Sequence, residues 1–419
     1  MDLRLQKSTI NKQVSTISIT GSKSETNRLL LLQALYPNLV LENTSNSDDS
    51  EVMMEALNLK PTIHNLQTIN IHHAGTAMRF LTAYFAIQEG NEVELTGSSR
   101  MKERPIKILV DALKQLGAEI IYTENEGFPP IKIIGKKLTQ NKVSIAANVS
   151  SQYISALLLI APKLENGLEL TLEGAITSIP YIQMTLALLN EIGVTTSIEN
   201  NTIKVNSQFT IHNSQLIIES DWSSASYYYS IVALSEIGTQ ITLSSYKQNS
   251  LQGDAALAEI YKDFGVETVF NSNNSVTISK ILNLKPETLN LQLNNSPDIA
   301  QTIVVTCFGL GIGCHLKGLH TLKIKETDRL EALKTELTKL GASISVTNDS
   351  LTLQPSDANF LIGRNTTIAT YQDHRMAMAF APLALKTSLV IEDAEVVSKS
   401  YPTFWNDLKS IGFQISELK

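Results

Sequence analysis

Cysteine is almost absent: Cys307 and Cys314 are the only two in 419 residues. Without a second pair the chain can build neither a cysteine zinc site nor a disulfide framework, so both thiols are expected as reduced core residues. Long apolar runs are missing too. The stretches near 153–162 and 303–314 are too short, or too broken by polar residues, for the roughly 20 apolar residues of a membrane span. The opening MDLRLQKSTINKQ lacks the apolar stretch of a secretory leader, so a cytoplasmic protein with no membrane partner is expected. Positive charge is in deficit, with 34 basic against 41 acidic side chains and a net charge of −7. That balance argues against nucleic acid as a partner. A Walker A loop, GxxxxGK[ST], does not occur.

Arginine is the scarcest cation, with eight residues in all, and six of the eight fall in short motifs. Its planar guanidinium binds carboxylate and phosphate through paired hydrogen bonds. An acidic chain that confines arginine to motifs is suited to a small, highly anionic ligand. Hydrophobic residues at 43% and charged residues at 18% place the chain among globular proteins. Its length predicts two or three domains, with cores large enough to need no staples.

One pattern recurs: an amphipathic helix, a glycine, then strands joined by a polar turn. LVDALKQLGAEIIYTENEGFPPIKIIG stops its helix at Gly117, and later copies stop at Gly193, Gly265, Gly341 and Gly412. Glycine suits the left-handed position just past a helix. The intervals are 76, 72, 76 and 71 residues, too long for a solenoid and right for a βαβαββ unit. A weaker, shortened copy without the glycine is expected near 57–71. Six copies give three per domain, with one boundary near 219–224 and the strand 14–20 left over. A site at the domain interface is expected.

Loops leading into helices carry the chemistry. TGSKSETNR offers Ser22 or Ser24 as N-cap, with Lys23 and Arg28 beside it. HHAGTAMRF offers Gly75, Thr76 as a cap, and Arg79, and RMKERPI compresses Arg100, Lys102 and Arg104 into five residues. NVSSQY follows with Ser150, Ser151 and Gln152. Helix N-termini with adjacent cations bind anions, and four such loops in one half are harder to dismiss than a single solvated charge run. The second half offers Asp298 in NNSPDIAQ; Lys325, Glu326, Asp328 and Arg329 in KETDRL; Asp373, His374 and Arg375 in QDHRMAMAF; and Lys399 in KSYPTF. A lone His374 is more often structural than catalytic.

In this order, GSKSETNR, AGTAMR, RMKERPI, SSQ, SIPY, SSASY, SPD, KETDRL, DHRMAMAF and KSYPTF resemble the motifs of the 5-enolpyruvylshikimate-3-phosphate synthase family along essentially the whole chain. The resemblance implies an α/β (α+β) fold of two domains, each of three βαβαββ repeats with pseudo-threefold symmetry, an inverse α/β barrel with the site in the interdomain cleft. The first domain, 21–219, would take the shikimate-phosphate side, and the second, 1–20 plus 220–419, would close over the cleft. The implied activity is enolpyruvyl transfer from phosphoenolpyruvate to the 5-hydroxyl of shikimate 3-phosphate, by addition and elimination, with release of phosphate. No metal or organic cofactor is needed, a monomer is expected, and glyphosate would occupy the phosphoenolpyruvate site.

Carried over position by position, Lys23, Ser24, Arg28, Ser150, Ser151, Gln152, Ser178, Asp298 and Lys325 match contacts to shikimate 3-phosphate, with Tyr181 lining the same pocket. Lys23, Gly75, Thr76, Arg79, Arg100, Gln152, Arg329, Arg375 and Lys399 match contacts to phosphoenolpyruvate, with His374 beside them. Glu326 is the expected acid/base at carbon, and Asp298 with Lys23 serves the hydroxyl. Three positions depart from the family's usual pattern: His73 for Asn, Phe80 for Pro and Thr321 for Asn. UDP-N-acetylglucosamine enolpyruvyltransferase is the nearest alternative, but it commonly carries a cysteine in the loop that here reads GSSRMKERP. RNA 3′-phosphate cyclase would need nucleic-acid sites that this charge balance does not suggest. A catalytically inactive anion-binding relative would have little reason to keep Lys23, Asp298, Glu326 and Lys399 together.

Overall fold

The computed structural model describes residues 1–10, 15–59, 66–148, 150–174, 176, 178–284, 286–356 and 366–418. Its helices decide the architecture. Trp222–Leu234 (WSSASYYYSIVAL) and Ala300–Leu310 (AQTIVVTCFGL) bury every residue, and Ser151–Ile160 buries all but Gln152. A helix apolar on every side has no face to offer water. The strands instead alternate: Leu168–Glu173 buries Leu168, Leu170 and Leu172, and Glu92–Thr96 buries Val93 and Leu95. One sheet face is therefore covered and the other open, which puts helices inside and sheets outside.

The chain divides into two compact units, one of Ser22–Ile218 and one of Met1–Gly21 with Glu219–Lys419. In the Ser22–Ile218 unit, Gln67–Asn70, Glu92–Thr96, Ile131–Ile134 and Glu119–Tyr122 form a sheet in that spatial order. Its first pair is parallel and the other pairs antiparallel. The same arrangement returns in Lys142–Ala146, Leu168–Glu173, Thr202–Val205 and Thr196–Glu199. A two-stranded sheet, Gln215–Ile217 parallel to Val40–Glu42, completes the described part of this unit.

The other unit has three four-stranded sheets with that order. They are built on the parallel pairs Ser15–Ile17 with Gln240–Ser244, Thr288–Gln292 with Gly313–Lys317, and Thr366–Ile368 with Leu389–Ile391. In the last of these the third place is taken by the N-terminal strand Asp2–Leu5, between Leu389–Ile391 and Ile415–Leu418. The fold is the expected two-domain α/β arrangement of repeated βαβαββ units.

Two expectations need correcting. QTIN of the shortened copy opens the following sheet, by pairing with Glu92–Thr96, rather than closing its own repeat; residues 60–65 of that copy lie outside the described residues. The leftover strand is Ser15–Ile17 rather than 14–20, with Val14 outside the described residues. Both cysteines are buried and unbridged, and burial raises the Cys307 thiol well above its ordinary range.

All five repeat glycines sit at positive φ: 104° at Gly117, 105° at Gly193, 72° at Gly265, 99° at Gly341 and 114° at Gly412. At Gly265 a Cβ would also run into the Leu282 carbonyl oxygen, whereas at Gly238 (φ 92°) it would meet nothing within 4 Å. Gly238→Ala should therefore lose only the backbone preference, about 1 kcal/mol, and Gly265→Ala at least about 2 kcal/mol. Urea unfolding of both variants checks this; equal losses would show that the Leu282 carbonyl moves aside freely.

Candidate functional site

Many of the candidate side chains sit at or near the N-terminal end of a helix. In the Ser22–Ile218 unit, Lys23 and Ser24 open the helix Lys23–Leu35. Ser22 is the N-cap, but its buried hydroxyl makes no capping bond and has no described partner. The Lys23 ammonium pairs with Asp49, 3.2 Å away. Arg28 is buried. Its Nε donates to Thr185 Oγ1 at 2.8 Å, and its Nη atoms donate to the Ser24 carbonyl, Ser155 Oγ and the Tyr181 carbonyl. The guanidinium also lies 5.4 Å from the Phe80 ring centre and 5.8 Å from that of Tyr181. The Phe80 ring, where the family has proline, thus supplies a cation–π face.

Arg79 is arranged in the same manner. It donates to the Gly75 and Pro105 carbonyls at 3.0 Å each, and its Nε has no described partner. Among the described residues no carboxylate pairs with Arg28 or Arg79. Burial lowers both guanidiniums to about 10, Arg79 further disfavoured by Arg104. Two buried cations with no carboxylate in ion-pair contact make a site that an anion would stabilise.

Ala74, not Thr76, occupies the N-cap of Gly75–Ala86. Thr76 lies one residue inside and accepts from Gln152 Nε2 at 3.2 Å, which joins two of the expected contacts. Ser150 caps Ser151–Ile160, and Ser178, at φ 54°, starts Ile179–Glu191. The Gly75 Cα faces the Arg104 guanidinium, so a methyl there would fall 2.5 Å from Nη1. Arg100 is exposed and paired with Glu103 at 2.9 Å, apart from this group.

The other unit gathers acids instead. Arg329 is fully buried and donates three ways: Nε to Asp373 at 2.6 Å, one Nη to Asp298 at 2.8 Å and the other to Glu326 at 2.8 Å. Lys325 stands 3.6 Å from Asp298, as does Arg375. Arg375 also donates to the Asp298 carbonyl and to Ser223 Oγ, which in turn donates to Asp254. Burial alone would raise the Asp298 carboxyl, but Lys325, Arg375 and Arg329 outweigh it and hold the group far below the usual carboxylate range. Asp254 moves the other way, raised by burial and by the Asp298 charge. Asp298 favours the Lys325 ammonium, but burial and Arg329 prevail and lower it. His374 is buried at the start of His374–Phe380, and Lys399 Nζ donates to the Gln372 carbonyl at 2.8 Å.

A profile of the family described as EPSP synthase (3-phosphoshikimate 1-carboxyvinyltransferase) matches residues 58–408. The chain belongs to that family. It is similar to the 3-phosphoshikimate 1-carboxyvinyltransferase of Bacteroides fragilis (strain YCH46), 46% identical over 404 residues and 96% of each chain. It is 37% identical to that of Haemophilus influenzae over 426 residues, 94% of this chain and 96% of the relative. In fold it resembles the solved EPSP synthase of Acinetobacter baumannii, with a TM-score of 0.77, 19% identity and coverage of 99% of this chain and 100% of that one.

The sequence reading leaves out Asp49 and Asp254, the acids that hold Lys23 and Ser223, and offers Asp373 without a role, where the structure sets it on Arg329. Asp373 carried one signal, the acid just before a helix in QDHR. Its Oδ1 accepts from the Arg375 backbone as an N-cap while Oδ2 takes Arg329. Asp49 and Asp254 carried none.

Replacing Arg329 by methionine, of similar length, would strand three carboxylates. Breaking a buried ion group in this way costs about 3–5 kcal/mol. Because the same change removes one of the three cations that hold the Asp298 carboxyl low, Asp298 takes up a proton more readily and the deficit should shrink as pH falls from 8 to 5. Urea unfolding of wild type and Arg329→Met at both pH values reads this out; a loss below about 1 kcal/mol at pH 8 would remove Arg329 from the centre of the cluster.

Proposed function

We propose that this chain transfers the enolpyruvyl group of phosphoenolpyruvate to the 5-hydroxyl of shikimate 3-phosphate and releases phosphate. The observation that carries the reading is a division of charge: buried arginines without carboxylates in one unit, an acid cluster around one arginine in the other. Both substrates carry phosphate and carboxylate, so Lys23, Ser24, Arg28, Ser150, Ser151, Gln152, Ser178 and Tyr181 would receive shikimate 3-phosphate. Lys23, Gly75, Thr76, Arg79, Arg100, Gln152, Arg375 and Lys399 would receive phosphoenolpyruvate, beside His374. Arg329 would do so through the N–H groups its carboxylates leave over. Cations held ready in a dry site stabilise developing charge without reorganising.

Addition joins the hydroxyl oxygen to C2 of phosphoenolpyruvate, adds a proton at C3 and removes one from the hydroxyl. Elimination takes the C3 proton back and breaks the bond between C2 and the phosphate oxygen. Glu326, hydrogen-bonded to Arg329 on the rim of the cluster, would carry the carbon proton. Asp298, kept ionised by three cations, would accept the hydroxyl hydrogen as attack makes that hydroxyl acidic, with Lys23 assisting. Lys325 would contact the shikimate phosphate. The UDP-N-acetylglucosamine enolpyruvyltransferase alternative lacks its usual cysteine here, since Cys307 and Cys314 are both buried core residues.

Mixing the protein with phosphoenolpyruvate and shikimate 3-phosphate should release inorganic phosphate, with none when UDP-N-acetylglucosamine replaces shikimate 3-phosphate; the reverse result would overturn the assignment. Glu326→Gln keeps size and hydrogen bonding but loses the proton, so kcat should fall about 10²–10⁴-fold with little change in KM. A kcat within about threefold of wild type would leave Glu326 a structural partner of Arg329.

Glyphosate is longer than phosphoenolpyruvate, so crowding at Gly75 should weaken it more. In Gly75→Ala the new methyl displaces the Arg104 guanidinium, at about 1–3 kcal/mol. Inhibition constants and KM for wild type and Gly75→Ala decide this, and equal weakening of both ligands would count against it.

A further inference from the structure

The Lys23–Asp49 pair has a third member. His73 lies in the loop before the helix Gly75–Ala86, and its Nε2 stands 3.8 Å from Asp49 Oδ1 and 4.0 Å from Asp48 Oδ2. Asp49 uses its other oxygen, Oδ2, to hold the Lys23 ammonium. The Asp49 side chain is 8% exposed, that of Lys23 21% and that of His73 32%, so water screens the three only in part. Glu51, Glu55 and His72 line the same cavity of about 330 Å³ as Asp48 and His73. Three of the residues that line that cavity with His73 are therefore acids, Asp48, Glu51 and Glu55.

We propose that His73 is a positioning residue that sets, according to its protonation, how strongly Asp49 holds Lys23 and so how available Lys23 is to an anion. When the imidazole is neutral, Asp49 spends its charge on Lys23 alone. When the imidazole is charged, it competes for Asp49, loosens that pair and adds positive charge beside the same site. Anion affinity at Lys23 then rises as pH falls through the His73 titration. Histidine alone among the neutral-pH side chains makes this switch in the physiological range.

The inference rests on the proposed reading of Lys23 as a substrate cation, but its first test does not. In the ligand-free protein, the His73 imidazole should titrate in heteronuclear NMR with a midpoint that Asp49→Asn lowers; an unchanged midpoint would overturn the coupling whether or not the enzyme turns over. The second test compares wild type with His73→Asn, which keeps a polar side chain that cannot be charged. Between pH 6 and pH 8 the wild-type KM for phosphoenolpyruvate should rise roughly fivefold more than that of the variant. Comparing the two proteins cancels the titration of the substrate's own phosphate. Superimposable KM profiles, or a difference confined to kcat, would overturn the proposal.

Discussion

Helices with no polar side govern this structure. Trp222–Leu234, Ala300–Leu310 and Ser151–Ile160 can be accommodated only if covered all round, and four-stranded sheets with one apolar face do the covering. A helix buried along its length has its ends as the places to present polar groups. That is where many of the candidate residues are: Lys23 at the start of Lys23–Leu35, Gly75 at the start of Gly75–Ala86, Ser150 just before Ser151–Ile160 and His374 at the start of His374–Phe380. The location of the chemistry follows from how the core is built.

Even inside the core the helices carry polar atoms, and several of these are satisfied by one another. Ser226 bonds Thr302 at 2.9 Å, Thr306 bonds Ser230 at 2.8 Å, and the Tyr261 hydroxyl closes on Thr306 at 2.9 Å. Small hydroxyls let Trp222–Leu234 and Ala300–Leu310 approach closely with those hydroxyls paired, while the buried Gln301 amide has no described partner. The ends of these helices can then be held in fixed positions, as a set of charges that must not drift requires.

The charges are distributed unequally, and that inequality has chemical content. Arg28 and Arg79 are solvated by carbonyls, hydroxyls and aromatic faces, which hold a guanidinium in place without neutralising it. Arg329 is neutralised by three carboxylates, which are oriented by it in turn. The first arrangement is suited to receiving an anion, the second to holding acids at chosen distances, and enolpyruvyl transfer needs both.

The repeat was legible in the chain itself, because glycine spacing reports a backbone conformation that few other residues adopt, and all five glycines have it. The motif arginines and acids were legible as well, since helix starts have a local signature. Tertiary structure decided what local signals do not encode. Asp298 and Asp373 lie 31 and 44 residues from Arg329, on opposite sides of it in the chain, yet meet on its one guanidinium. Phe80 became a face for Arg28 rather than a mere departure from proline, and Asp2–Leu5 filled the third place in a sheet whose other strands begin at Thr366. The sequence by itself determined which residues could bear charge and where helices would start; which charges met, and which were left without a partner, depended on packing between elements remote along the chain.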